Sequence, residues 1–342
     1  RPRDWPGTFG QSLAAAGATA AGRKAMSGPQ ASWLPDGRRL HLNHGPIDLI
    51  VEAFGESAEV EAGYGQCVAR FQTILAELVE ELPKLRLPAE RQPRLFSGPT
   101  ARRMEAAVAP LAEVFITPMA AVAGSVADEM LAAMIIGRNL ERAYVNNGGD
   151  IALFIAPGHR IEAAIGGTGS GFDDRLTIRA GDRVRGIATS GWRGRSFSLG
   201  IADAVTVLGA SGAAADAAAT LIANAVDLPG HPAIERRPAC ELAPDSDLGD
   251  RLVTTAVDPL TEGEAAAALE AGLAVAEALR RRGLIEAAAL FLNGRACLSG
   301  ALADRAIALS RQDASFVDPA DLLVAGAKGH QMISNEGRVH GC

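Results

Sequence analysis

The sequence is poor in aromatic residues and lysine, and each shortage narrows what the protein can be. Aromatic residues make up 4% of its 342 positions, so the core must consist mostly of alanine, valine, leucine and isoleucine. Lysine occurs only at positions 24, 84 and 328, which leaves nearly all of the positive charge to arginine, a residue suited to bidentate contacts with phosphate or carboxylate. The formal net charge of −7 argues against nucleic acid as the main partner.

Cysteine and long apolar runs are also scarce. The sequence has no closely spaced cysteine pair of the kind that binds a metal, since its four cysteines are Cys67, Cys240, Cys297 and Cys342. Free thiols in a reducing compartment are the simplest interpretation. The sequence shows no apolar run long enough to span a bilayer and no good signal peptide, so we expect a cytoplasmic protein without a membrane partner.

The distribution of periodic segments predicts one main domain between two loose ends. Residues 1–38 and 302–342 lack regular periodicity, and we expect a loosely ordered N-terminal arm and a weakly ordered C-terminal tail. Residues 39–301 are predicted to form a single domain of two lobes. Its strands come in hairpins as often as in β-α-β units, which indicates an α/β (α+β) fold of mixed or antiparallel sheets flanked by helices, not a doubly wound parallel sheet.

Periodicity also places the individual elements. The predicted strands are 39–44, 47–53, 161–165, 175–178, 184–189, 203–208, 251–257, 287–293 and 296–300. Helices are predicted at 57–82, ended by Pro83, at 100–114, from 125 and at 210–226. Thr261 and Glu264 form a capping box at the start of another helix. The charged segment 232–250 is interpreted as an irregular connector.

The most informative stretch is Asn146-Asn147-Gly148-Gly149-Asp150, which lies between two apolar runs. Such a cluster predicts a strand, a tight turn and a second strand. A plain hairpin turn would explain Asn-Gly alone. The longer run of turn residues also suits an anion-holding nest of backbone N–H groups. Both interpretations stay open at this point.

Two further clusters carry candidate chemistry. Thr189, Ser190 and Gly191 end a strand beside Arg193 and Arg195, and two hydroxyls with arginine can hold a phosphate. A polar loop with solvated arginines explains the same residues and would be preferred if the cluster stood alone. Ser190 is not in a Gly-x-Ser-x-Gly elbow, so a serine hydrolase is discounted.

The third cluster is on a predicted helix. Asp216 and Thr220 are four residues apart and therefore share one helical face. A carboxylate and a hydroxyl on one face can hold a hard cation. An aspartate that favours the helix dipole, with a threonine bonded back to the backbone, explains the spacing as well and is favoured by spacing alone.

Taken together and in order, these clusters resemble the ApbE-like superfamily, which includes FAD:protein FMN transferases once described as thiamine-biosynthesis lipoproteins. The chain is most similar to an uncharacterised, non-lipoprotein branch of it. The resemblance covers roughly residues 44–300 and depends on segments 45–49, 117–124, 145–150, 186–192 and 215–220.

The resemblance implies an ApbE-type fold that binds a flavin (FAD or FMN) or another phosphate-bearing cofactor together with Mg²⁺. The residues implied in cofactor binding are Gly124, Asp128, Asn146, Gly148, Gly149, Asp150, Thr189, Ser190, Gly191, Arg193 and Arg195. The implied metal ligands are Asp216, Thr220 and the backbone carbonyl of Val122.

Two departures from the family pattern bear on activity. Ala123 stands where the flavin transferases have lysine, and residues 190–205 lack the histidine of the family's His-Ile-Ile-Asp-Pro-x-Thr-Gly segment. The lysine and histidine side chains that this sequence lacks are suited to proton transfer or phosphate contact. FMN transfer is therefore in doubt, whereas the cation site can survive.

Three functions follow from these observations. The first is an Mg²⁺-dependent transferase related to the flavin transferases, with altered catalytic residues. The second is a non-catalytic binding or accessory protein that keeps the pocket. The third is an enzyme that acts on an unrelated phosphorylated metabolite. Exposed sheet edges and an alanine-rich helix surface also suggest a homodimer.

Overall fold

The computed structural model describes residues 28–165, 175–300, 302 and 323–325. The described strands are β1 Gln30–Trp33, β2 Leu40–His44, β3 Ile47–Gly55, β4 Leu140–Asn147, β5 Asp150–Ile155, β6 Arg160–Ile165, β7 Arg175–Arg179, β8 Gly186–Ser190, β9 Ala204–Gly209, β10 Ile234–Pro238, β11 Leu252–Val257, β12 Ala287–Leu292, β13 Arg295–Gly300 and β14 Leu323–Ala325. The described α-helices are α1 Ser57–Leu85, α2 Pro99–Val108, α3 Val122–Ile135, α4 Gly212–Ala225, α5 Ala239–Leu242 and α6 Glu262–Arg281. Two 3₁₀ helices, Ala109–Leu111 and Pro118–Ala121, lie between α2 and α3.

One large antiparallel sheet organises the fold. Its nine strands have the order β1-β2-β3-β4-β5-β8-β9-β12-β13, and every neighbouring pair is antiparallel. A smaller sheet, β14-β6-β7, contains one parallel pair and one antiparallel pair, and β10 pairs with β11 separately. The predicted class of mixed or antiparallel sheets flanked by helices is therefore confirmed.

Alternation along the strands divides the core between the two faces of the large sheet. On one face, Val51 and Val145 pack with α1 and α3, while Val207 and Leu290 pack with α4 and α6 in a second cluster. On the other face, side chains such as Ile187 pack with strands β6 and β7. Two helix-covered core clusters thus share one continuous sheet, and the division into two lobes stays a prediction.

Several predicted boundaries need correction. Helix α1 continues through Pro83 to Leu85. Because Pro83 lies so close to the end of the helix, its missing N–H removes few of the helical hydrogen bonds. Helix α3 begins at Val122, three residues before the prediction, directly after a 3₁₀ turn. The predicted irregular connector 232–250 contains β10 and α5. Among the described strands β10 pairs with β11 alone, and its sequence, Ile-Glu-Arg-Arg-Pro, has no apolar alternation from which a strand could be predicted.

The predicted loose ends overlap with ordered sheet. Residues 1–27 lie outside the described part of the chain, but β1 falls within the predicted arm and pairs with β2, so the sheet begins before residue 39. Most of the predicted tail, residues 302–342, is likewise outside the described part. One described segment of the tail, β14, pairs in parallel with β6.

One helical stretch, Pro118–Ile135, is long and apolar enough by length and composition to cross a membrane. This finding corrects the expectation that no apolar run is long enough. Half of the stretch, 50%, is buried inside the fold, and α3 contributes Met130 and Met134 to the core. Core helices commonly meet the same criteria, so the stretch is weak evidence for a membrane span.

The cysteines in the described part of the chain are free thiols, as expected. Cys67 is buried in the core, and burial raises the pKa of its thiol to about 12. Cys342 lies outside the described residues.

The capping box at the start of α6 is confirmed. The Thr261 hydroxyl accepts the Glu264 backbone N–H at 3.3 Å, and Glu264 Oε2 accepts the Thr261 N–H at 2.7 Å. Glu264 Oε1 lies 2.9 Å from His231 Nε2. The Thr261 N–H, the Thr261 hydroxyl and then His231 lower the pKa of Glu264 to about 2.

This lowered pKa predicts how stability depends on pH. Because folding depresses the carboxyl pKa, the contribution of Glu264 is complete above its ordinary value of 4.5 and is lost as pH falls towards about 2. The difference in free energy of unfolding between wild type and Glu264→Gln should therefore shrink as pH falls from about 5 towards about 3. Urea denaturation at a series of pH values measures it. A difference independent of pH would contradict the prediction.

Candidate functional site

A cleft of about 310 Å³ lies where the two helix-covered core clusters meet. Its lining comes from five parts of the chain: residues 115–123, the start of β5, residues 189–199 at and after the end of β8, helix α4, and residues 246–248. The cleft therefore brings together the three clusters that the sequence singles out.

The central turn is a tight hairpin. Asn147 and Asp150 are paired, so Gly148 and Gly149 alone form the loop, with φ of 60° and 110°. Positive φ at both positions is what a two-residue hairpin turn requires. Gly149 donates its N–H to Asn146 Oδ1 at 2.7 Å, so that side chain closes the turn. Of these residues only Asp150 lines the cleft. Gly148 and Gly149 form the turn and Asn146 closes it, and the predicted binding roles of these three stay predictions.

Asp150 fixes the neighbouring strand. It is 3% exposed, and its Oδ1 accepts the Thr189 backbone N–H at 3.1 Å. The Thr189 hydroxyl lies 2.9 Å from the Thr206 hydroxyl on β9. These bonds hold the end of β8, so that Thr189, Ser190 and Gly191 line the cleft.

Helices α3 and α4 cap each other. Asp216 on α4 accepts the N–H of Gly124, in the first turn of α3, at 2.9 Å. Asp128 on α3 accepts the N–H groups of Gly212 and Ala213, the first residues of α4, each at 2.8 Å. Each carboxylate thus satisfies N–H groups that the first turn of a helix leaves without partners.

This mutual capping gives a structural role to two of the residues predicted to bind a cofactor, Gly124 and Asp128. A Cβ on Gly124 would lie 2.2 Å from the Gly212 carbonyl oxygen, so the helix backbones cross in contact there. Burial raises the pKa of Asp128, while its bonds to Ala213 and Gly212 act in the opposite direction. Neither Gly124 nor Asp128 lines the cleft. Both hold α3 against α4.

The donor set around Asp216 fits a hard cation. Asp216 and Thr220 both line the cleft, and the Thr220 hydroxyl donates to the Ala120 carbonyl at 3.4 Å. Val122 lines the cleft too, but the carbonyl that meets Thr220 is that of Ala120. Carboxylate, hydroxyl and carbonyl oxygens are the ligands that Mg²⁺ and Ca²⁺ prefer. Within the described residues no group of three or more His, Cys, Asp or Glu side chains could hold a metal, so ligand or water oxygens must complete such a shell.

The two predicted phosphate-binding arginines differ in position. Arg195 lines the cleft, is exposed, and has no hydrogen-bond or ion-pair partner among the described residues. Arg193 does not line it: its Nε donates to Asp203 Oδ1 at 2.8 Å, and its guanidinium stacks 4.7 Å from the centre of the Trp192 ring. Only Arg195 is placed to meet an anion in the cleft.

Several lining residues are not among those predicted from the sequence to bind a ligand. The most polar of them are Thr117 and Asp247, which are joined by a hydrogen bond from the threonine hydroxyl to Asp247 Oδ2. The apolar ones are Phe115, Ile116, Met119, Phe197, Leu199 and Leu248. Asp247 lies in the turns after α5, where the sequence has no periodicity that could have pointed to it.

The lining agrees with the departures seen in the sequence. Among the described residues that line the cleft there is no histidine, lysine, cysteine or glutamate. Its ionisable groups are three aspartates, Asp150, Asp216 and Asp247, and one arginine, Arg195. The cleft is therefore acidic as a whole.

Comparison with known proteins identifies a family. The family described as "AbpE bacteria" matches residues 31–298, which is more than half of the chain. The UPF0280 protein of Methanococcoides burtonii is 37% identical over 123 residues, covering 36% of this chain and 51% of the relative. That of Methanoculleus marisnigri is 42% identical over 118 residues, covering 34% and 47%. The chain thus spans about half the length of the curated relatives it matches.

Two solved structures are similar at low scores. A mutant of the flavin transferase ApbE from Vibrio cholerae has a TM-score of 0.43 at 14% identity, covering 78% of this chain and 99% of that one. The flavinyl transferase ApbE of Pseudomonas stutzeri in its apo form has a TM-score of 0.39 at 13% identity, covering 81% and 96%. No functional residue is transferred from either structure.

The helix crossing predicts a stability effect at Gly124. Gly124→Ala should lower the free energy of unfolding by about 2 kcal/mol or more, because the new methyl group meets backbone atoms of Gly212 that have no room to move. Gly263→Ala is the control, since a Cβ there meets nothing within 4 Å and should raise stability by up to about 1 kcal/mol. Urea denaturation compares both variants with wild type. Equal stability of the two variants would contradict the crossing.

Proposed function

The chain belongs to the family described as "AbpE bacteria", and from that membership we propose that its cleft binds a flavin nucleotide through the phosphates together with Mg²⁺, and transfers FMN from FAD to a hydroxyl acceptor. The family match, together with the resemblance of the sequence motifs to those of the flavin transferases, supports flavin as the ligand class. The arrangement of charged groups in the cleft supports the requirement for a cation.

The single observation that carries the proposal is the excess of carboxylates over cations in the lining. Asp150, Asp216 and Asp247 face only one positive side chain, Arg195. Opposite charges at about 4 Å attract by roughly 4 kcal/mol near a protein surface, and like charges repel by as much. A diphosphate would be repelled from this cleft unless a divalent cation came with it.

The chain's own residues supply ligands for that cation. Asp216, Thr220 and the Ala120 carbonyl provide oxygen donors along one side of the cleft. Mg²⁺ is usually held by few protein ligands, with substrate phosphates and water completing its octahedron. When bound there, the cation would offset phosphate charge and polarise the phosphorus–oxygen bonds.

The remaining lining suits a planar ring next to a phosphate. Phe115, Met119, Phe197 and Leu199 give the cleft an apolar part beside its polar groups. Its volume of about 310 Å³ is at the small end of ligand pockets, which run from roughly 300 to 1,000 Å³. A cleft of this size would enclose one part of a dinucleotide and leave the rest in solvent.

The proposal predicts that flavin binding depends on Mg²⁺ through Asp216. Adding EDTA, or the substitution Asp216→Asn, should weaken FAD binding at least about tenfold, or about 1.4 kcal/mol, by removing the cation or its charged ligand. Asparagine still offers an oxygen to the Gly124 N–H, so the helix crossing is kept. Fluorescence titration and calorimetry measure the affinity.

A matched control is Asp48→Asn, which removes a carboxylate that pairs with His41 outside the cleft lining. Its FAD affinity should equal that of wild type. Binding of FAD that is equally tight with EDTA and with Mg²⁺ would contradict the cation-dependent site.

The two arginines provide a second test. Arg195→Gln should weaken FMN binding a few-fold, because contacts of an exposed charge contribute about 0.2–1 kcal/mol, and should leave riboflavin binding unchanged. Arg193→Gln should change neither, since Arg193 is paired with Asp203 outside the lining. Titration of both variants with FMN and with riboflavin measures the part of the affinity that depends on the phosphate. An equal loss in the two variants would refute the assignment of Arg195.

The alternative is a non-catalytic binding protein. The observation that favours it is the lack of histidine, lysine, cysteine and glutamate among the described lining residues. Incubation with FAD and MgCl₂, followed by chromatography, separates the two functions. Release of FMN and AMP supports the transferase, whereas tight flavin binding without release supports the binding protein. Absence of both flavin binding and Mg²⁺ binding would contradict both functions.

A further inference from the structure

The segment that the sequence presents as a connector carries a side chain without an assigned role, Asp247. Strands β10 and β11 pair apart from the large sheet, and α5 and the turns of residues 243–251 lie between them. Thr254 of β11 anchors this excursion: its N–H donates to the Ser198 carbonyl at 2.9 Å and its hydroxyl to the Gly200 carbonyl at 2.8 Å. The excursion thereby delivers Asp247 to the cleft.

Thr117 orients the Asp247 carboxylate. Thr117 is 2% exposed and precedes the 3₁₀ helix Pro118–Ala121, so its position is fixed by the fold. Its hydroxyl donates to Asp247 Oδ2, which is the contact that an ionised carboxylate accepts. Within the described part of the chain the other oxygen, Oδ1, makes no hydrogen bond. That oxygen is able to accept a proton.

The other two aspartates of the cleft are engaged in different ways. Asp150 is 3% exposed and accepts the Thr189 N–H. Asp216 accepts the Gly124 N–H and belongs to the proposed cation site. Asp247 is more exposed than either, so a proton that it takes up can pass on to solvent. Arg195, the remaining ionisable group among the described lining residues, stays protonated and cannot act as a base.

We infer that Asp247 accepts the proton of the hydroxyl group that attacks the flavin-side phosphorus of FAD, an inference that rests on the proposed function. The acceptor oxygen bonds to that phosphorus, and the bond from the phosphorus to the bridging oxygen breaks. AMP leaves with the bridging oxygen and the electron pair, while the hydroxyl proton passes to Asp247 Oδ1. The step is a substitution at phosphorus and consumes no oxidant or reductant. With water as the acceptor, the products are FMN and AMP.

The test compares wild type with Asp247→Asn, Asp247→Glu and Asp245→Asn in FAD and MgCl₂, with water as acceptor. Asparagine still accepts the Thr117 hydroxyl, which keeps the loop in place. Asp247→Asn should slow release of FMN and AMP by about 10²- to 10⁴-fold, the usual contribution of a general base. Its KM for FAD and its calorimetric affinity for FAD in MgCl₂ should not weaken, because the substitution removes a negative charge from the lining.

The two other variants sharpen the result. Asp247→Glu keeps the carboxylate and should restore part of the rate. Asp245→Asn changes an exposed aspartate of the same loop that does not line the cleft, and it should release FMN at the wild-type rate.

Each contrary outcome has a separate meaning. The inference is overturned if Asp247→Asn keeps the wild-type rate, or if it lowers Mg²⁺ affinity as much as Asp216→Asn does, which would make Asp247 a cation ligand. Wild type that binds FAD and Mg²⁺ but releases neither product also overturns it, and leaves the binding part of the proposed function in place. Wild type that binds neither refutes the proposed function itself, and the inference falls with it.

Discussion

The mutual capping of α3 and α4 is the constraint on which the rest of the structure depends. Asp216 of α4 accepts a backbone N–H from the first turn of α3, and Asp128 of α3 accepts two from the first turn of α4. Each helix therefore has its N-terminus capped by a carboxylate of the other. The bonds require the two N-termini to be adjacent, and adjacency is possible only because Gly124 and Gly212 have no side chains. Helix N-termini attract anions, and here the anions are the protein's own carboxylates.

This crossing also determines where the cleft lies. Helix α3 packs in the core cluster with α1, and α4 in the cluster with α6, so their junction spans the boundary between the clusters. Asn147 links the hairpin to the same place, donating its amide to the Ala123 carbonyl at 3.1 Å. Asp216 therefore has two functions: it holds the junction through one contact and lines the cleft that the junction creates.

The part of the structure that the sequence could predict is the part encoded locally. Alternation identified the strands of the large sheet, and Thr261 with Glu264 identified a helix start, because each pattern is complete within a few residues. The structural role of Gly124 and Asp128 cannot be predicted in this way, since no local pattern shows that their hydrogen-bond partners belong to α4. No local pattern in the sequence points to Asp247. Its position depends on the pairing of β10 with β11 and on the contacts of that excursion with residues 198–200.

The proposed cation site and the proposed proton acceptor lie on parts of the fold that are stabilised by different contacts. Asp216 is fixed by a buried crossing of two core helices, so its position in the proposed cation site depends on that crossing. Asp247 is on an excursion from the large sheet, oriented by one threonine hydroxyl. A change in that excursion would remove the proposed proton acceptor and leave the proposed binding groups in place. The two proposed functions, transfer and simple binding, would therefore differ at a loop and not in the core.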